Sequence, residues 1–162
     1  MSFLLGILSI FAALHLPQWV GWQWDYLKGM QSKAAVAFGL MFIISGTTHF
    51  TNPEGFVAIM PPFLPEPLLL VYLSGIAEIS LGIGLVLPRW RTRAGVGAIL
   101  LLLAVFPANV YAAINGITSP GAPENSLYLW LRLPLQLVFI AWVWWAAAGI
   151  AIKDLSIKRN QS

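Results

Sequence analysis

The sequence contains no cysteine. Disulfides, thiolate metal sites and cysteine nucleophiles are therefore excluded, and any thiol redox chemistry belongs to a partner. Charge is scarce as well, at 9% of 162 residues. A soluble domain of this size carries about a quarter. There is no phosphate-binding loop, no HExxH and no serine-triad motif. The two histidines, His15 and His49, are too few for a haem or metal site unless other groups add ligands. No metal and no intrinsic cofactor are expected.

Apolar residues fill the space that charge leaves. They make up 59% of the chain, and the mean hydropathy is +0.79. Such a chain needs a nonpolar solvent, which points to an all-α integral membrane protein. Four stretches are long enough to cross a hydrocarbon core of about 30 Å. They run from about Lys33 to Phe50, Leu68 to Leu87, Ala94 to Ile114 and Leu129 to Ile152. Together they predict a four-helix bundle over residues 31–162, preceded by a separate apolar segment over residues 1–30.

That first segment has an apolar run that gives way to His15, Pro17 and a Trp-rich stretch. It reads as a spanning helix or as one lying in the interface, where Trp19, Trp22 and Trp24 fit. No Lys or Arg precedes the run and no small-residue cleavage site follows it, which argues against a signal peptide.

The net charge of +3 is not a nucleic-acid signal, because the basic residues sit in short loops beside apolar spans. Lys28, Lys33, Arg89, Arg91, Arg93, Lys153, Lys158 and Arg159 all fall on one side if the spans alternate. The other two loops carry no Lys or Arg. The positive-inside rule makes the basic side cytoplasmic, with the C-terminus on it. A bacterial inner membrane is the expected location. The loop after the first span holds Pro53, Pro61, Pro62, Pro65 and Pro67. It cannot be one regular helix and is expected to cap the bundle.

Within the second span, "YLSGIAEISLGIGLVLP" places one carboxylate, Glu78, among apolar residues. At 1.5 Å per residue it lies roughly 15 Å from Leu68, near mid-membrane. An ionised carboxylate facing lipid there costs several kcal/mol. Ser74, Gly75 and Gly82 share its helix face, and small residues let another backbone approach. Glu78 is therefore expected to face a neighbouring helix.

The other spans offer partners at similar depth. His49 ends the first, with Ser45 and Gly46 one turn back. Asn109 follows Pro107 in the third, and that proline frees the carbonyl of Leu103. Arg132 and Gln136 lie four apart on the fourth, so on one face, with Pro134 between them. His49, Glu78, Asn109, Arg132 and Gln136 are the candidate ligand-binding residues. Each has a plainer reading: Arg132 as a snorkelling anchor, His49 as a helix end near headgroups, Asn109 and Gln136 as interhelical ties, Glu78 as a protonated carboxyl. Trp90 and Trp130 fit interface anchoring. Trp142, Trp144 and Trp145 read as packing or lipid-facing residues.

The stretches "GTTHF", "SGIAEISLGIGLVLP", "RTRAGVGAILLLLAVFPANVYAA" and "WLRLPLQ", in this order, resemble the DoxX-like family of small membrane proteins. The resemblance runs from about Phe38 to Trp145. It implies a four-helix membrane bundle, in some members a subunit of membrane oxidoreductases of the thiosulfate:quinone type. It carries His49, Glu78, Asn109, Arg132 and Gln136 over as positions without fixing their roles.

The expected function is a redox-linked membrane subunit that binds a quinone-like or other lipid-soluble ligand in a polar site. As an oxidoreductase it would need a companion subunit. The alternative is a non-enzymatic assembly or stability factor for a membrane complex. A carrier for a small anion or lipid ranks below both, since four or five helices without an inverted repeat offer little for alternating access. Membrane lipids are expected partners, and a homo-oligomer stays open.

Overall fold

The computed structural model describes residues 2–16, 27, 29–118 and 126–148. Six α-helices occur among them: α1 (Ser2–Ala13), α2 (Met30–Thr51), α3 (Pro53–Ala58), α4 (Pro67–Val86), α5 (Arg91–Asn115) and α6 (Ser126–Val143). A π-helical turn, Trp144–Ala148, extends α6. The described residues contain no strand. Four segments are long and apolar enough to span a membrane: Met30–Thr51, Pro67–Val86, Arg91–Asn115 and Leu127–Ala148. The chain is an all-α membrane bundle of four such helices plus the N-terminal α1. The expected end of the fourth span at Ile152, and Trp19, Trp22 and Trp24, lie outside the described residues.

Local sequence sets the helix ends. Asn52 closes α2 and caps α3, its Oδ1 accepting from the Gly55 N–H at 3.3 Å, with Pro53 at the first helical position. Pro67 opens α4. Leu87 is extended ahead of Pro88, which stops that helix. Gly116 ends α5 with a φ of 67°, its N–H bonded to the Ala112 carbonyl. The hydroxyls of Thr47 and Thr48 donate to the carbonyls of Ile44 and Ser45, both at 2.6 Å. These polar residues are thus satisfied within their own helix.

Glycines set how closely the spans pack. A Cβ on Gly39 would lie 2.6 Å from the Gly82 carbonyl oxygen, and one on Gly46 would lie 2.8 Å from that of Gly75. The pairing 39–82 and 46–75 runs in opposite directions, so α2 and α4 are antiparallel and meet backbone to backbone. Phe50 stacks on Tyr72 at 5.6 Å along the same seam. Apolar side chains gain little by leaving lipid tails for protein, so close backbone approach supplies the dispersion contacts. Gly84 against Ala94, Gly97 against Leu81 and Gly95 against Ala147 continue the pattern. They set α5 antiparallel to α4 and bring the π-helical turn onto the start of α5. The closing turn also meets α2: Gln31 Nε2 donates to the Trp145 carbonyl at 3.0 Å, and Trp142 Nε1 donates to that of Ala34 at 3.1 Å.

Helix α1 covers about 18 Å, short of the core thickness, and lies against the bundle. Ile7 is fully buried in the common core. Phe3 packs its ring against Phe38, Phe42 and Phe139. Leu100 and Leu137 point outward, 61% and 63% exposed, as expected of surfaces that lipid covers.

Candidate functional site

Three turns of helix build the central part of the site. His49 lies near the end of α2 and is buried. Its Nδ1 is 3.1 Å from the Val71 carbonyl and 3.0 Å from Ser74 Oγ. Ser74 Oγ donates to the same Val71 carbonyl at 2.8 Å. With the serine proton committed to Val71, Ser74 can only accept from the imidazole. The network therefore assigns the proton to Nδ1, shared between Ser74 and Val71.

Nε2 then faces Glu78, whose Oε1 lies 3.6 Å away. The other carboxyl oxygen, Oε2, is buried and has no hydrogen-bond partner. Gly46 and Gly75 lie one turn before His49 and Glu78 on their helices, and their contact brings the two side chains across the seam.

The short cap covers the imidazole of this pair. Phe56 of α3 stacks on the His49 ring with centroids 4.0 Å apart and planes 18° from parallel. The expected cap is thus present and supplies an aromatic roof to the imidazole. Arg132 of α6 is half-buried, and Glu78 and Tyr128 lie within its electrostatic reach.

Asn109 and Gln136 form a second group. Asn109 Nδ2 donates to Gln136 Oε1 at 2.8 Å, and Gln136 Nε2 donates to the Leu102 carbonyl. Both side chains are buried. This amide pair ties α5 to α6 around Pro107, with Asn109 after the proline and the Leu102 carbonyl before it. The tie uses the carbonyl of Leu102, one residue before the Leu103 carbonyl that the proline leaves without its usual donor.

The five candidates are therefore not equivalent. His49 and Glu78 face each other across the α2–α4 seam with Arg132 in electrostatic reach of the carboxyl, while Asn109 and Gln136 satisfy each other and a backbone group. No group of three His, Cys, Asp or Glu able to hold a metal occurs among the described residues.

Two buried basic residues escape the sequence reading, Lys33 and Arg91, which count there as loop charges that set orientation. Lys33 is buried in the first turn of α2. Arg91 is buried at the start of α5, with Nε donating to the Leu85 carbonyl at 3.1 Å and Nη1 to Ser32 Oγ at 2.8 Å. The available signal is Ala94 and Gly95 one turn on, a small-residue face that marks a helix contact.

No curated protein and no solved structure matches the chain. The sequence profile of a family described as a domain of unknown function (DUF8561) matches residues 38–147, a stretch that holds all five candidates and runs from within the first span to the last turn of the fourth, and the chain belongs to that family.

Proposed function

We propose that the chain is a redox-linked membrane subunit, akin to DoxX-like proteins, that binds a quinone-like ligand beside Glu78. The observation that carries this reading is the Glu78 carboxyl itself. One oxygen faces an imidazole and the other is buried without a donor. A buried acceptor left unpaired costs about 1–3 kcal/mol, and the hydroxyl of a reduced quinone would relieve it. Arg132 would bind the far oxygen. Oxidation of a hydroquinone releases two protons and two electrons. The His49–Glu78 pair would take one proton, the second would pass to the outer aqueous face, and the two electrons would pass to a flavin or metal centre on a companion subunit. Asn109 and Gln136 would hold α5 and α6 in place around the ligand.

The same reading places the chain in a bacterial inner membrane. Arg89 and Arg93 would face the cytoplasm, with the buried Lys33 and Arg91 at the same end of the bundle, and His49 would sit in the outer half.

The test is to purify the protein in a mild detergent and measure quinone per chain in its lipid extract. Near-stoichiometric quinone is expected, falling at least about tenfold in Glu78→Gln, a loss of about 1.4 kcal/mol, with an unchanged melting profile. Wild-type protein that holds no quinone and captures none when offered a soluble quinol would overturn the reading. A companion protein recovered equally with wild type and Glu78→Gln, again without quinone, would establish the assembly-factor role.

A further inference from the structure

A groove of about 400 Å³ opens on the outer surface of α4 and α5, towards the end of the bundle where the arginines gather. Ile83 and Gly84 line it from α4, Leu87 and Trp90 from the connecting turn, and Arg93 and Ala94 from α5. Gly84 is its floor: the Ala94 methyl comes within 2.7 Å of where a Cβ would stand, so the helices touch there and the surface is recessed. Leu81 lies across Gly97 and walls the far end. From Ser80 to Leu87 the groove runs about 10 Å along the helix.

Its lining is apolar along the length and cationic at one end. Arg93 lies over the Trp90 ring, its guanidinium carbon 5.5 Å from the centroid. This cation–π contact holds the charge at the mouth. The surrounding surface is lipid-facing: Ile76, Val96 and Leu100 are 53%, 47% and 61% exposed. An occupant therefore enters sideways from the bilayer, lays an alkyl chain over Gly84 and presents an anion to Arg93.

We infer that this groove is a binding site for an anionic glycerophospholipid, with an acyl chain between α4 and α5 and the phosphate on Arg93. The charge and the apolar length are both required. A free phosphate would leave the groove empty, and a zwitterionic lipid would set its own cation beside the guanidinium. The site is separate from the His49–Glu78 pair and does not depend on the role proposed for it.

Native mass spectrometry of detergent-released protein tests the assignment, with phosphatidylglycerol, phosphatidylcholine and inorganic phosphate in separate arms. One basic residue near the surface contributes about 1 kcal/mol to an anionic lipid, so wild type should retain phosphatidylglycerol about fivefold better than phosphatidylcholine. Arg93→Gln should abolish the preference. Arg89→Gln, the same charge change on an exposed residue outside the groove, should keep it. Ser80→Phe, which fills the far end from an exposed position, should lower retention of both lipids. Equal effects of Arg89→Gln and Arg93→Gln would show a diffuse basic belt and overturn the site, as would phosphate displacing the lipid. A phosphatidylglycerol with a photoreactive acyl chain gives an independent reading on unaltered protein. Cross-links should concentrate on residues 80–87, and an even spread over the lipid-facing helices would overturn the proposal.

Discussion

Gly46 and Gly75 face each other so closely that a Cβ on Gly46 would lie 3.1 Å from the Glu78 Cβ as well as 2.8 Å from the Gly75 carbonyl oxygen. The contact that joins α2 to α4 is thus also the contact that seats Glu78. Gly46→Val should destabilise the bundle by about 1–3 kcal/mol, the usual cost of overpacking. Thermal melting in detergent checks this. An unchanged melt would mean that the seam is loose.

The amide pair should behave as a unit. Gln136→Leu strips the acceptor from Asn109 and the donor from the Leu102 carbonyl. An interhelical hydrogen bond in a membrane contributes about 0.6–2 kcal/mol. Asn109→Leu with Gln136→Leu should therefore cost less than the two single changes added together. Equilibrium unfolding in mixed micelles measures the coupling, and strict additivity would show that the pair does not form.

Phe56 should shield the imidazole. Phe56→Ala removes a stacked ring, a contact that contributes about 0.5–1.5 kcal/mol, and opens His49 to reagents. Diethyl pyrocarbonate should then modify His49 several-fold faster. His15, bonded through Nδ1 to the Phe11 carbonyl at 2.8 Å, serves as the internal reference. Equal rates in wild type and variant would mean that α3 does not cover the site.

Arg91 should resist conservative replacement. Two guanidinium nitrogens bind two different helices, a geometry that an ammonium cannot copy. Arg91→Lys should lower stability by about 1–3 kcal/mol, and Ser32→Ala by less. A lysine variant that melts like wild type would show that Arg91 supplies only charge.

Much of this was legible before any coordinates, for identifiable reasons. Length and apolarity locate spans because a bilayer imposes one thickness and demands satisfied backbone groups. Helical spacing put Gly75 on the face of Glu78, and lipid excludes a bare carboxylate, so a contact with a neighbouring helix followed, though not that the neighbour would be α2. Depth alone could not separate the candidates into a His49–Glu78 pair and an Asn109–Gln136 tie. That division depends on which helices are neighbours. The burial of Arg91 was hidden for a similar reason: a basic residue beside a proline-terminated span reads as a solvated loop charge. Phe56 gave no signal either, because a ring in a proline-rich segment does not announce what it will cover.

The glycine seam also fixes what can move. A backbone-to-backbone contact leaves no side chains to repack, so α2 and α4 cannot slide past one another in small steps. The spacing between imidazole and carboxyl is therefore gauged by two backbones in contact rather than by side chains that could settle elsewhere.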